Sequence, residues 1–467
     1  MFLFLNLLDI LTSFCYGGVG GIDNEKKTEG LLAWVVQFMK SEELKDQSKK
    51  AKKHFTRSRK LDFFPLITVI FNTLRRSVQL ELDDFRKRFL PEPLKITTYR
   101  KQSFSEARQK ISPIAFVLLN DGFIERFYAE NDYKTYKGFR LLAIDGSVLE
   151  IPNTPRMQDA YGFVTNHNKK LKIARALSSS LVDIENHMTI SSTIGRYDAS
   201  ERDLAKINIE KSITLGNLHS EDLILFDRGY PSAEFILYLQ SKGIRFLMRV
   251  SMAFFKEVLQ TSTNDEIVQI EITKERAKAF KRQGSLIPVG TILKMRVIKV
   301  ELPTGEIEIL ITDLTATELN YTESKVLYFK RWGIETNYDV LKNQWEIENF
   351  SGVTPTVIEQ DFYATIFLGN MASLIEQDAD EVLQADIANK NLKHEEYKIN
   401  HNILVGKLKN NLIEILLEED NTKKDQLYQQ LIAEIAQNYC AVVKGRSYER
   451  KKDNKANKYA NSKRGAL

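Results

Sequence analysis

The sequence predicts an α/β fold in which a core of strands and helices is interrupted by a β-rich insertion and flanked by helical regions. Three observations carry that expectation. Two short apolar runs, 139–144 and 223–226, each end in an acid, Asp145 and Asp227, and strand-like and helical segments separate them in α/β order. A stretch of alternating charged and apolar residues, 251–320, is too long for a loop and reads as inserted strands. Apolar stripes at helical spacing fill 61–130 and recur over 357–378 and 395–439.

The 467 residues suffice for several domains, and 43% hydrophobic with 28% charged residues is a globular composition. The net charge is only +5, so where the basic residues cluster matters more than their sum. Cys15 and Cys440 form neither a CxxC motif nor a disulfide framework, and six scattered histidines show no HExxH pairing. A metal ion would therefore have to be held by carboxylates. The absence of a disulfide framework fits a cytoplasmic protein.

Residues 1–21 are apolar, but the first lysine is Lys26 and Asp9 interrupts the run, which argues against a signal peptide or membrane span. The chain from Met39 reads as a natural start, so 1–39 is set apart as an apolar N-terminal extension. Residues 40–60 are rich in Lys and Arg and read as a solvated, partly disordered arm at the start of a helical domain, 40–130. Within it, Ser103 or Ser105 is expected to cap a helix that exposes Arg108 and Lys110, and Pro113 to open the next. Helix-turn-helix geometry and plain helical packing both satisfy this pattern.

The core is expected in two parts, 138–250 and 321–380, around the 251–320 insertion. Strands are expected over 172–184, preceded by Lys169 and Lys170, and over 187–195. Ser200 caps a helix that ends at Gly216, and a second helix and strand follow Asp227 and Arg228. Further helices occupy 381–443. The 444–467 tail carries nine Lys or Arg against Glu449 and Asp453, with Tyr448 and Tyr459 between them, a composition suited to phosphate contact or to solubility.

One stretch organises the rest, YFKRWGIETNYDVLK from Tyr328 to Lys342. At about 100° per residue, a single helix places Tyr328, Arg331, Glu335 and Lys342 within roughly 60° of one another. A face with one carboxylate, two cations and a phenol suits a metal ion and phosphate better than a core. Mg²⁺ or Mn²⁺ takes oxygen ligands, and two such ions can serve an in-line displacement at phosphorus. Asp145, Asp227 and Glu335 would supply the carboxylates. Arg331, Lys342 and Tyr328 would hold the phosphate.

The pattern Tyr328-x2-Arg331-x3-Glu335-x6-Lys342 resembles the YREK signature of IS4-family DDE transposases. AIDGS around Asp145, SERDLA at 200–205 and FDRGY around Asp227 are similar to that family as well. The resemblance spans roughly 55–465. It implies an RNase H-like core with a β-rich insertion before the Glu, and a helical N-terminal DNA-binding domain. It also implies Asp145, Asp227 and Glu335 as a catalytic triad holding two Mg²⁺ or Mn²⁺ ions. Tyr328, Arg331 and Lys342 would then contact transposon-end phosphates, with Arg228, Lys169, Lys170, Arg108 and Lys110 as further basic contacts. The implied partners are double-stranded DNA, as element ends and target, and a second copy of the chain in a homodimer on that DNA. The implied location is the bacterial cytoplasm and nucleoid, with no membrane.

Relatives in that family cut at the element's ends and join the 3′-OH to target DNA, and some stack a displaced base on a tryptophan near the insertion. No tryptophan lies between Asp227 and Arg331 here; Phe254, Phe255 and Phe280 are the aromatic residues of the 251–320 insertion. Two other readings share these residues: an inactive DNA-binding relative, and an RNase H-like nuclease without strand transfer. The intact acids and basic signature weigh against the first, and the long insertion against the second.

Overall fold

The computed structural model describes residues 24–57, 61–72, 76–89, 99–165, 171–251, 254–282, 284–302, 305–388 and 390–443. The apolar 1–21 stretch, Lys169, Lys170 and the basic tail lie outside the described residues.

Six helices come first: α1 (Asn24–Lys40), α2 (Glu42–Ser48), α3 (Phe63–Phe71), α4 (Val78–Phe89), α5 (Lys101–Arg108) and α6 (Ile114–Glu130). The core then runs β1 (Arg140–Glu150), α7 (Pro155–Tyr161), β2 (Phe163–Thr165), β3 (Lys172–Asp183), β4 (Met188–Arg196), α8 (Glu201–Thr214), β5 (Asp222–Phe226), α9 (Ala233–Ser241) and β6 (Arg245–Arg249). The insertion holds α10 (Lys256–Leu259), β7 (Asp265–Glu271), α11 (Lys274–Arg282), β8 (Ile292–Glu301) and β9 (Ile307–Thr312). After it come α12 (Tyr321–Phe329), α13 (Trp332–Asn343), the 33-residue α14 (Pro355–Ile387), β10 (Tyr397–Ile399), α15 (His401–Leu417), α16 (Asn421–Ala436) and β11 (Tyr439–Ala441).

The main sheet orders its strands β2-β3-β1-β5-β6-β9-β8-β7, with β4 also paired to β3. β4, β3 and β1 are antiparallel, while β1, β5 and β6 are parallel. Three antiparallel strands followed by two parallel ones, with a helix between β4 and β5, make the RNase H-like mixed sheet that the sequence predicts. The inserted strands continue the same sheet, because β9 pairs antiparallel with β6.

The two faces of the sheet are read from alternate residues. On one, Asn208 of α8 bonds Ser191, Thr193 and Ser179. On the other, the Tyr338 hydroxyl of α13 accepts from Ser180, which also bonds Ser192. Buried serines and threonines thus fasten a helix to each face through satisfied hydrogen bonds. Ser200 and Ser232 cap α8 and α9 by accepting from the third helical amide, the first as the sequence suggests.

Four expectations are corrected. β1 does not stop at Asp145: its parallel partner ends at Ile144↔Phe226, but its antiparallel pairing with β3 continues to Glu150. The helix expected over 328–342 is two helices, since Lys330, Arg331, Gly333 and Ile334 donate to carbonyls three residues back and tighten the turn. The solvated arm is ordered as far as 57, with Ser41 capping α2 and the Lys50 amide donating to the Lys110 carbonyl at 2.9 Å. Arg100, not Ser103 or Ser105, occupies the N-cap of α5.

The N-terminal helices share their apolar core with α14. The Phe71 and Phe123 rings lie 5.2 and 5.7 Å from that of Phe367. Residues before Met39 contribute too, since Leu31, Leu32, Val35 and Phe38 are buried. Among the described residues no helix is long and apolar enough to cross a membrane.

Candidate active site

The site grows from the point where β5 ends beside β1. Ile144 pairs with Phe226, so Asp145 and Asp227 are the next residue on each of two adjacent parallel strands. Asp145 keeps its place through the Gly146 amide, which donates to Oδ1 at 2.8 Å. Asp227 opens a tight turn closed by the Tyr230 amide on its carbonyl at 3.1 Å. The turn is braced from α8, where the Arg202 guanidinium donates to the Gly229 carbonyl at 3.1 and 3.2 Å.

The third acid arrives on α13. Tyr338 fastens this helix to β1, its hydroxyl donating to the Asp145 carbonyl at 3.1 Å. Gly333 allows the close approach, for a Cβ there would meet the Ile184 Cβ at 3.1 Å. One turn in, Glu335 accepts from Arg331 Nη2 at 3.2 Å, while Arg331 Nη1 lies 3.9 Å from Asp145 Oδ2. The second contact is an ion pair at long range and not a hydrogen bond. Arg331 is only 5% exposed, and its Nε and Nη1 have no hydrogen-bond partner. Tyr328, also buried, lies 3.4 Å through its hydroxyl from both Asp227 Oδ1 and the Phe226 carbonyl.

The expected residues thus separate into groups. Asp145, Asp227, Glu335, Arg331 and Tyr328 meet at one opening. Lys342 ties the end of α13 to β1, donating to the Val148 carbonyl at 2.7 Å with Glu348 at 3.7 Å. Arg228 is exposed on the Asp227 turn. Lys110 is half-buried.

Arg108 is not an exposed basic contact. It is 2% exposed, pairs with Asp361 at 2.5 Å, donates to Gln360 at 2.6 Å and also contacts Ser351. Its guanidinium fastens α5 to α14, so it cannot meet DNA.

The electrostatics set Asp145 apart. Burial pushes its carboxyl up to about 6. The Gly146 amide and Arg331 oppose the rise, and the charges of Glu201 and Asp227 add to it. A carboxylate that burial and like charges hold partly protonated near neutrality is one that a divalent cation would ionise fully. Among the described residues no three His, Cys, Asp or Glu side chains stand close enough to bind an ion in their present rotamers. The donor set nonetheless fits a hard cation: it is all carboxylate oxygen, and the nearest positive charge, Arg331, leaves two nitrogens unpaired.

Sequence reasoning passed over Glu201, Tyr230 and Tyr338. The first two lie in the SERDLA and FDRGY stretches, where an acid behind a helix cap and a tyrosine after a turn were the available signals.

A family profile described as the transposase DDE domain matches residues 136–371, which carry all three acids. The chain belongs to the DDE transposase family. Among curated proteins it is similar to the transposase InsG for insertion sequence element IS4 of Escherichia coli (strain K12), 21% identical over 272 residues. That match covers 57% of this chain and 59% of the relative, so it spans about three fifths of the relative's length. Among solved structures, a piggyBac transposase synaptic complex with hairpin DNA aligns over 91% of this chain and 87% of that one, at 12% identity and a TM-score of 0.41.

Proposed function

We propose that this DDE transposase mobilises an insertion sequence: it binds the element's terminal inverted repeats, cuts DNA at the ends and joins the freed 3′-OH to target DNA. The observation that supports this reading most is the meeting of Asp145, Asp227 and Glu335 with the buried, under-bonded Arg331 where β5 ends beside β1 in the middle of the sheet.

Two divalent ions, Mg²⁺ or Mn²⁺, held by Asp145, Asp227 and Glu335 would activate the attacking oxygen and neutralise charge on the leaving one. The chain's own groups do the rest. Arg331 lies between Asp145 and Glu335 with Nε and Nη1 left to donate to a phosphate. The Tyr328 hydroxyl fixes the Asp227 side of the opening. Lys342 and Arg228 extend the positive rim along which a DNA backbone would run, one strand position at a time. Joining two ends to one target calls for a homodimer on the DNA.

A cavity of about 660 Å³ adjoins the Asp227 turn, walled by Phe254, Phe255 and Phe280 with Arg202 and Lys206. Its aromatic walls offer a stacking surface for an unpaired nucleotide of a cut end, while Asp203 and Glu234 in the same lining offset the charges of Arg202 and Lys206.

The test is cleavage of labelled DNA carrying the sequences that flank the native gene, with Mg²⁺ or Mn²⁺, by wild type and Glu335→Ala. Metal-dependent cleavage at a repeat boundary, lost in the variant, is expected. Wild-type binding without cleavage would replace this reading with a DNA-binding relative that lacks activity. Cleavage without joining would replace it with a nuclease.

A further inference from the structure

We infer that Glu201 is a fourth carboxylate of the acidic opening and helps to hold a divalent cation there. The inference rests on the transposase reading of Asp145, Asp227 and Glu335, and adds to it a residue from a different element.

Glu201 is the first residue of α8, and its side chain is laid across both acid-bearing segments. A Cβ on Gly146, next to Asp145, would stand 3.0 Å from Glu201 Oε1. A Cβ on Gly229, two residues after Asp227, would stand 3.8 Å from Oε2. The two glycines therefore leave a cradle that the carboxylate occupies, spanning from β1 to the Asp227 turn. The start of α8 is anchored over this turn, because Arg202, the next residue, is bonded to the Gly229 carbonyl. Glu201 is exposed, so an ion can reach it.

The helix does not need this acid for its own sake. Ser200 already caps it, and Asp203 supplies a second charge to its first turn. The independent sign of a ligand is Tyr230. This tyrosine is 1% exposed, its hydroxyl has no hydrogen-bond partner, and it stands among the charges of Asp145, Glu201 and Asp227. A buried phenol left unpaired inside a ring of carboxylates is the partner that an ion's bound water would find.

Mn²⁺ binding to the full chain without DNA, followed by electron paramagnetic resonance or calorimetry, tests the inference apart from activity. Glu201→Gln is expected to weaken Mn²⁺ binding about tenfold and to leave the melting temperature in EDTA unchanged. Glu201→Asp, which keeps the charge at the helix start but shortens the reach, is expected to weaken binding as well. Asp145→Asn serves as the reference and is expected to weaken it further. Wild-type Mn²⁺ binding by both Glu201 variants, with loss in Asp145→Asn, would overturn this inference alone. Wild-type binding by Asp145→Asn too would overturn the metal reading of the triad with it. Should Glu201→Gln lower the melting temperature in EDTA while Glu201→Asp binds Mn²⁺ as wild type does, the role is structural and the inference fails.

Discussion

Four buried arginines face carboxylates among the described residues, and two of them, Arg108 and Arg331, have opposite environments. Arg108 meets Asp361 at 2.5 Å and directs its remaining nitrogens to Gln360, Ser351 and the Val357 carbonyl. Arg331 reaches Asp145 only at 3.9 Å, holds Glu335 by one bond at 3.2 Å and leaves Nε and Nη1 without partners. The acids record the difference. Burial alone would raise Asp361, yet Arg108 and the Ser351 contacts overcome it and hold that carboxyl below its ordinary value. Burial raises Asp145 to about 6, and Arg331 does not bring it back. One arginine is saturated by the fold. The other is buried with bonding capacity left over beside the acids, where a bound phosphate or water would use it.

The largest effect that would break this comparison is on catalysis. Arg331→Ala is expected to lower end cleavage by about 10²–10³-fold, the range for losing one donor to transition-state charge. Its denaturation midpoint should move much less than that of an Arg108 variant, because few bonds are lost. A single-turnover cleavage assay beside a urea titration checks both. Equal destabilisation by the two arginine variants would make Arg331 another strut.

Arg108→Ala is expected to act on stability instead. Removing one partner of a buried pair leaves Asp361 uncompensated, at a cost of roughly 3–5 kcal/mol. Urea unfolding should show that loss, and the variant's folded fraction should cleave like wild type.

Asp145→Asn sharpens the contrast through pH. The folded carboxyl sits near 6 against 3.8 in the unfolded chain, so the native state binds more protons between those values and stability falls as pH rises through them. Replacing the acid removes that penalty. The Asp145→Asn variant should therefore gain roughly 1–3 kcal/mol of unfolding stability at pH 8 while losing cleavage, and the gain should vanish below pH 4. A stabilised, inactive variant is the signature of a site held under strain for function. Unchanged stability at pH 8 would mean that Asp145 is not destabilised in the native state.

The same pair shows what was legible in the sequence. Glu335 and Arg331 were readable because a spacing of four residues at the start of one helix keeps them together even though the 328–342 stretch breaks into two helices, and Asp145 and Asp227 because apolar runs stop at them. The insertion was readable from its alternation. Arg108 was misread because helical periodicity reports only its own helix, and the residues that bury it lie 252 and 253 positions away on α14. The course of β1 past Asp145 was hidden for the same reason: its partner beyond that point is β3, and no local pattern announces which of two neighbours outlasts the other. Glu201 looked like a helix-start acid, which it also is, and only the fold brings it over Gly146.

The smallest effect concerns Lys342, which sits between the two arginines in character. Its ammonium is bonded to the Val148 carbonyl and lies 3.7 Å from Glu348, yet it is not buried and can swing to a phosphate. If it meets DNA, Lys342→Met should weaken binding of the end several-fold and reduce the salt dependence of binding by about one counterion, uniformly across sequences. Mn²⁺ affinity should not change, since Lys342 lies at the far end of α13 from Glu335. A wild-type salt slope with a lowered melting temperature would instead assign Lys342 to the tie between α13 and β1. It would then stand with Arg108 as a cation consumed by the fold, leaving Arg331 as the cation this helix keeps for the substrate.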